Sequence, residues 1–233
     1  MKNLIGRKVT TKEIYNLLVK GKIVGSEGII SFKLAEVSMA IKSKDVVGNV
    51  LQGWLAEWMK SKGIIFEEPE NSQEFPDFFL DPNDKKNNLL EIKTFDDDRG
   101  ANFDVANFQA YCRSLKTNAH RLDADYLILS YTMDDEGLII IKNIWLKKIW
   151  EICGPSEAYS VKVQQKQGVI YNIRPIVWYS QGSSTYKSFK LKKDLVEGLY
   201  KTLLKYPKTK NESNSWLKEV SKNYKEYSNK DID

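Results

Sequence analysis

Two short apolar runs near the middle of the chain constrain its fold most, because each contains charged residues that buried strands normally lack. The first run is EFPDFFL at residues 74–80, and the second is NLLEIKTF at residues 88–95. The sequence DPND between them predicts a turn, and the length and composition of the runs predict strands. A charge inside a buried strand is costly unless it has a charged partner or a metal ion. The sequence therefore predicts a hairpin whose charged side chains meet one another or a metal.

The charged residues inside these apolar runs are Asp77, Glu91 and Lys93, and Glu74 lies at the start of the first run. Side chains alternate between the faces of a strand, so Glu91 and Lys93 point the same way while Ile92 points into the core. A neighbouring strand can bring Asp77 to the same point. Two carboxylates form a hard oxygen site for Mg²⁺, to which the backbone carbonyl of Ile92 can add a ligand. The Lys93 ammonium would orient or help to deprotonate a water and hold a phosphate, which is metal-assisted phosphodiester hydrolysis. The alternative interpretation is an ordinary hairpin with charges on a solvated face.

The residues Pro76-Asp77 and Glu91-Ile92-Lys93 together resemble the motif of the PD-(D/E)xK nuclease superfamily, with every motif position matched. Longer segments resemble bacterial type II restriction endonucleases that cut partly degenerate palindromes of the GGNNCC kind. These segments are NSQEFPDFFL, LLEIKTF, NFDVANFQAYCRSL, RLDADYLILSY and VKVQQKQGVIYNIRPIVWYS. The resemblance covers about residues 45–180.

The resemblance implies an α/β fold, with a central mixed β-sheet flanked by helices and with N- and C-terminal additions. It implies a magnesium-dependent, site-specific endonuclease that cuts double-stranded DNA and leaves 5′-phosphates. It also implies a homodimer, in which each subunit cuts one strand of a palindrome, and a companion DNA methyltransferase. Two alternatives remain open: a repair or junction-resolving nuclease of the same superfamily, and a non-catalytic DNA-binding protein with this fold.

The residues that the chain lacks exclude several other chemistries. A single histidine, His120, excludes HNH nucleases and zinc sites built from several histidines. There is no GxxxxGK[ST] or GxGxxG phosphate-binding motif. Cys112 and Cys153 have no CxxC spacing and are expected to be buried thiols. No apolar run approaches the length of a membrane span, and the first residues do not resemble a secretory signal, so we expect a cytoplasmic enzyme.

Charge is unevenly distributed along the chain, although the net charge is only +5. Residues 1–62 have 11 basic against 5 acidic residues, residues 67–98 have 3 against 11, and residues 183–210 have 8 against 2. An acidic stretch between two basic ones suits a protein that binds a polyanion at its flanks and a divalent cation in the middle. The same pattern is also compatible with an ordinary solvated surface.

Periodicity and turn residues predict one endonuclease domain over residues 1–233. It would comprise a core at about 45–180, an N-terminal addition at 1–44, and basic helices and a tail at 181–233. Helices are predicted at 10–20, 45–62, 103–115, 144–153, 188–205 and 216–227. Strands are predicted at 64–66, 74–80, 88–95, 124–132 and 137–142, with a hairpin near Gly168. Residues 28–41 are ambiguous between strand and helix, and tryptophans at helical spacing are expected in the core.

The resemblance to the superfamily also implies an additional acidic metal ligand from the helix before the motif. Glu57, the only carboxylate well inside the predicted 45–62 helix, is the candidate, with Gln52 as a polar alternative; both are also compatible with plain surface. Asp96, Asp97 and Asp98 could tune the metal site or form a solvated loop.

DNA reading requires donors and acceptors that project into a groove. The predicted hairpin supplies Gln164, Gln165, Lys166, Gln167, Asn172 and Arg174, and the predicted 103–115 helix supplies Arg113, with Asn102 near its start. Lys187 and Lys190 suit phosphate contacts, as does the 180–185 loop. The alternatives are a polar edge hairpin and an ordinary basic surface.

Overall fold

The computed structural model describes residues 6–71, 74–179 and 185–233. The α-helices of these ranges are Thr11–Lys20 (α1), Val47–Ser61 (α2), Phe108–Leu115 (α3), Ile149–Ile152 (α4), Lys192–Lys205 (α5) and Ser213–Ser228 (α6). The β-strands are Glu27–Ile29 (β1), Ser31–Leu34 (β2), Val37–Ala40 (β3), Phe78–Phe79 (β4), Leu89–Asp96 (β5), Ala106–Asn107 (β6), Asp125–Met133 (β7), Leu138–Lys148 (β8), Val163–Lys166 (β9) and Val169–Ile173 (β10). Most of the 180–185 loop lies outside the described residues.

The chain divides into two compact units. One comprises Met1–Gly100 with Asp125–Leu146, and the other comprises Ala101–Ala124 with Lys147–Asp233. The single domain over 1–233 stays a prediction. None of the helices in the described ranges is long and apolar enough to cross a membrane.

A five-stranded mixed sheet forms the centre of the first unit, with the strand order β1-β8-β7-β5-β4. Strand β5 runs parallel to β7, whereas β4 is antiparallel to β5 and β1 is antiparallel to β8. Strands β5 and β7 are almost wholly buried, as expected for near-continuous apolar runs in parallel strands. The predicted central mixed sheet is therefore present.

Helix α2 packs on this sheet because its apolar side chains recur every three or four residues. Leu51, Leu55 and Met59 share one hydrophobic cluster with Ile92 of β5. The helix ends shortly before Gly63, whose φ of +64° continues the chain in the left-handed region. The expectation that all tryptophans at helical spacing belong to the core is wrong. Trp54 is 37% exposed, because it lies outside the buried stripe of the helix.

The first forty residues contain one predicted helix and one segment left ambiguous. Helix α1 begins after Thr10, whose hydroxyl accepts the Glu13 backbone N–H while the Glu13 carboxylate accepts the Thr10 N–H. This capping box confirms the predicted start. The ambiguous segment 28–41 forms strands. Strand β1 is an edge strand of the five-stranded sheet and pairs with β8, whereas β2 and β3 form a separate two-stranded hairpin.

Three predicted helices begin later than expected, among them the 188–205 helix, which begins at Lys192 as α5. Phe103 and Val105 are buried while Asp104 is exposed, a two-residue alternation that belongs to extended chain. Helix α3 therefore begins only at Phe108, where the Asn107 side chain accepts the Ala110 N–H. The helix expected at 144–153 is confined to α4, because β8 continues through the β-branched and aromatic residues that favour strands.

Two predicted strands are shorter than expected. Ile64 makes only an isolated bridge to Arg7, and the 74–80 run pairs only at β4. Pro76, which follows a cis peptide bond from Phe75, has no N–H to donate to a neighbouring strand.

The second unit combines a three-stranded antiparallel sheet, in the order β6-β10-β9, with helices α3, α5 and α6. Strands β9 and β10 form the hairpin predicted near Gly168. Helix α6 is anchored by Trp216, whose indole N–H donates to the Cys112 carbonyl over 2.6 Å. Cys112 and Cys153 are buried free thiols, as predicted.

Candidate active site

The predicted hairpin is formed by β4 and β5, in which Phe78 lies opposite Leu90 and Phe79 opposite Leu89. Continuing this register by one residue places Asp77 opposite Glu91. Side chains that lie directly opposite each other in an antiparallel pair share a face. The local pairing thus brings the two motif carboxylates together at the end of β4.

Hydrogen bonds fix the relative positions of the motif residues. The Ile92 backbone N–H donates to Asp77 Oδ2 over 2.6 Å, and the Asp77 backbone N–H donates to Glu91 Oε2 over 3.2 Å. Lys93 Nζ lies 2.8 Å from Glu91 Oε1, and the two side chains are only 20% and 10% exposed. A carboxylate, a second carboxylate and an ammonium therefore meet at one largely buried point.

The electrostatic state of Asp77 reflects this crowding. Its pKa is raised to about 7, chiefly by burial and then by the negative charge of Glu91. The Ile92 N–H and the positive charge of Lys93 lower the pKa but do not offset these two effects. Two close carboxylates that resist ionising together have a local deficit of positive charge, which a divalent cation would supply.

Glu68 contributes to this negative field, and the sequence interpretation missed it. Its charge also raises the pKa of Asp77. The neighbouring Glu67 makes an antiparallel bridge to Phe79, which brings this acidic stretch beside β4. The only sequence feature that could have indicated it is the acidic run EEPE just before the motif.

The other proposed metal-site residues have different environments. The Glu57 side chain is 73% exposed and pairs with Lys60. Asp96 is buried and pairs with Lys44 and Arg99, so it is not part of a solvated loop. Among the described residues, no three His, Cys, Asp or Glu side chains are grouped to hold a metal ion.

The donor set nevertheless fits Mg²⁺. This ion is usually bound through one or two carboxylates together with waters and substrate phosphates, without a complete protein cage. Asp77 and Glu91 are oxygen donors of that kind.

The residues proposed to read DNA lie in the second unit, in varied environments. Gln164, Gln165, Lys166 and Gln167 are exposed on the β9–β10 hairpin, as are Lys187 and Lys190 in the segment before α5. Asn172 donates to Gln164 Oε1 over 3.1 Å. Arg174 is held by Asp104 and Asn102, and Arg113 is held by Glu212 over 2.7 Å. Asn102 precedes α3 by several residues, so the helical position expected for it is wrong.

The residues that match the PD-(D/E)xK motif lie on β5 and immediately before β4 of a mixed sheet, with Lys93 in contact with Glu91. The family model described as NgoBV restriction endonuclease matches residues 8–233. The chain therefore belongs to the NgoBV restriction endonuclease family, and the predicted class, a type II restriction endonuclease, is confirmed.

Individual relatives agree with this membership. The chain is 37% identical to the type II restriction enzyme NlaIV of Neisseria lactamica, over 97% of this chain and 93% of that protein. It is 36% identical to the type II restriction enzyme NgoBV of Neisseria gonorrhoeae, over 69% of this chain and 91% of that protein. A solved structure of NlaIV restriction endonuclease matches with a TM-score of 0.92 and 36% identity, covering 97% and 93% of the two chains. This match confirms the predicted fold class.

Proposed function

We propose that Asp77, Glu91 and Lys93 are the catalytic residues with which this chain hydrolyses phosphodiester bonds in double-stranded DNA and leaves 5′-phosphates. The observation that carries this proposal is the set of contacts that joins the three residues. Lys93 Nζ lies 2.8 Å from Glu91 Oε1, the Asp77 N–H donates to Glu91 Oε2, and the Asp77 carboxylate accepts the Ile92 N–H. Family membership supports the DNA substrate and the site-specific reaction.

The protein groups have separate roles in the proposed reaction. The Ile92 N–H orients the Asp77 carboxylate, and the Asp77 N–H does the same for Glu91. Lys93 holds a phosphate oxygen, or the attacking water, close to these carboxylates. Because the site is largely buried, charges within it interact more strongly than they would in open water.

Asp77 and Glu91 would hold Mg²⁺, and the Ile92 carbonyl remains a candidate ligand. The ion, when bound, would polarise the scissile phosphate and lower the pKa of a bound water. Magnesium affinity should depend on pH, because the Asp77 carboxyl must lose its proton to bind a cation.

The proposed target is a palindrome that a homodimer cuts symmetrically, with a companion methyltransferase protecting the host's own copies. Two-fold symmetry in the protein would then match two-fold symmetry in the DNA. The exposed part of the β9–β10 hairpin, residues 164–167, is the proposed base-reading element. Lys187 and Lys190 are the proposed phosphate contacts.

A digest of long unmethylated DNA tests the proposal. Purified protein would be incubated with Mg²⁺, with EDTA, and with Mg²⁺ after Lys93→Ala replacement. We expect discrete fragments only for the wild type with Mg²⁺, and mapping their ends would show whether the target is of the GGNNCC kind. A smear would contradict site-specific cleavage, and uncut DNA under every condition would contradict catalysis.

A further inference from the structure

The β2–β3 hairpin has an apolar face that the described part of the chain leaves exposed. Phe32 pairs with Met39 and Leu34 pairs with Val37, so these four side chains share one face. They are 51%, 57%, 69% and 70% exposed, in the order Phe32, Met39, Leu34 and Val37.

The opposite face of the hairpin is mainly polar, which makes the element amphipathic. It comprises the second set of opposing pairs, Ser31 with Ala40 and Lys33 with Ser38. An isolated two-stranded hairpin is at best marginally stable in water unless something packs against it. The hairpin is attached at its base, where the Ile30 N–H donates to the Gly137 carbonyl and the Ile41 N–H donates to the Ile30 carbonyl. It is therefore a fixed projection with an uncovered apolar face.

Other apolar side chains of the same region are also exposed. Of the fourteen large hydrophobic residues that are exposed among the described residues, nine lie between residues 19 and 54. The nine are Val19, Val24, Ile29, Phe32, Leu34, Val37, Met39, Val50 and Trp54. Their exposure equals that of about five fully exposed large side chains, which at roughly 150 Å² each is on the order of 750 Å². That area is comparable with the roughly 800 Å² that each partner contributes to a stable interface.

The same unit has a mainly apolar recess of about 280 Å³ beside β1, whose lining also includes Ser26 and Glu27. Its lining includes Leu17, Ile23, Leu51, Trp54 and Ile139. The recess is no larger than the low end of small-molecule sites, which is roughly 300 Å³. It therefore suits side chains of a protein better than a cofactor.

We propose that the β2–β3 hairpin is a dimerisation arm, whose apolar face packs against the apolar region around this recess on a second copy of the chain. The projection and the recess occur on the same unit, so a two-fold axis lets each copy supply both features to the other. We therefore take a second copy as the partner, because it would offer a recess to the apolar face of the hairpin. The inference deepens the proposed function, because it assigns the surface through which the proposed palindrome-cutting dimer forms.

The test compares Met39→Glu with Ser38→Glu. These variants add the same charge to adjacent residues of one strand, but on opposite faces of the hairpin. Both positions are exposed in a single copy, so neither variant should unfold the chain, and circular dichroism with thermal unfolding would check this. Sedimentation equilibrium over a dilution series should give a wild-type dimer. It should also give a dimer for Ser38→Glu and a dissociation constant at least about 100-fold higher for Met39→Glu.

A labelling experiment gives an independent measurement. The thiol of Met39→Cys should react with a maleimide more slowly in concentrated than in dilute protein, whereas the thiol of Ser38→Cys should react at the same rate in both. The native thiols are buried, which limits background reaction. A monomeric wild type, equal dissociation constants for the two Glu variants, or equal labelling at both positions would overturn the proposal. DNA cleavage by the wild type is measured separately. A wild type that forms the dimer but does not cleave DNA argues against the proposed function and not against the dimerisation arm.

Discussion

Asp77 and Glu91 place two carboxylates close together in a largely buried part of the first unit. Lys93 supplies a positive charge in direct contact with Glu91. The raised pKa of Asp77 means that the folded, metal-free protein retains a proton there that the unfolded chain releases. The free energy of unfolding should therefore fall as the pH rises from about 4, the usual pKa of an aspartate, to about 7.

Replacing Asp77 with asparagine should remove this pH dependence. At pH 8 with EDTA, Asp77→Asn should raise the melting temperature by about 2–4 °C, because a relief of repulsion of about 1 kcal/mol has that effect in a chain of this size. The asparagine oxygen can still accept the Ile92 N–H. Thermal unfolding at pH 5 and pH 8 measures the effect.

Asp84→Asn is the matched control for this experiment. Asp84 lies in the turn before β5, and its pKa is lowered by the Asn87 side chain and the Lys86 backbone N–H. Its replacement should not stabilise the protein at pH 8. If both variants have the same effect, the predicted repulsion at Asp77 is wrong.

The contacts among the motif residues follow from the sequence more directly than the charges that surround them do. Strand alternation alone puts Glu91 and Lys93 on one face, and a turn of suitable length returns the chain past Asp77. The contribution of Glu68 depends on a bridge between Glu67 and Phe79. The environment of Asp96 depends on Lys44, fifty-two residues earlier. Neither long-range contact is encoded in a local pattern.

At the level of elements, helix α3 shows how local capping sets a boundary that periodicity misplaces. The segment before it contains enough apolar residues to continue a helical pattern, but Phe103 and Val105 alternate with an exposed Asp104. Asn107 then starts the helix through its side-chain bond to the Ala110 N–H. The boundary can be predicted only if the cap is recognised before the periodicity is extended.

Asn107→Ala should lower the free energy of unfolding by about 1 kcal/mol, the usual cost of losing an N-cap. Asn107→Asp keeps the acceptor and should lose much less. Chemical denaturation of the wild type and both variants measures the difference. Equal destabilisation by alanine and aspartate would show that the cap does not determine the start of the helix.

The β9–β10 hairpin is the element proposed to read bases. Replacing two of its exposed residues should affect DNA binding in different ways. Gln165→Ala should weaken binding to the target by about 1–3 kcal/mol and leave non-target binding unchanged, because glutamine reads base edges. Lys166→Ala should weaken binding to target and non-target DNA alike and should reduce the salt dependence of the affinity, because lysine contacts phosphate. Binding titrations at several salt concentrations with Ca²⁺ in place of Mg²⁺ separate the two effects.

Lys201→Ala is the control, because Lys201 is an exposed lysine of α5 that pairs with Glu197. It should leave both affinities unchanged. Unchanged target binding in Gln165→Ala would move the base-reading role to another element.

At the scale of the whole molecule, the resemblance to restriction endonucleases predicted the mixed sheet and the family but not the proposed dimer surface. The segment 28–41 has apolar residues in an order compatible with either a strand or a helix. Only the pairing of Phe32 with Met39 and Leu34 with Val37 shows that four of them share a face. The same segment lies outside the part of the chain that resembles restriction endonucleases, so the resemblance assigned it no role.

The most direct test of the central claim is the single-turnover rate at which saturating enzyme cleaves a duplex containing the mapped target in Mg²⁺. The variants are Asp77→Asn and Lys93→Ala, with Glu74→Gln as the control, because Glu74 is an exposed carboxylate three residues before Asp77. We expect both site variants to cleave on the order of 10³-fold more slowly while still binding the duplex. The control should cleave at the wild-type rate. Near wild-type cleavage by Asp77→Asn or Lys93→Ala would contradict the assignment of these residues as the catalytic site.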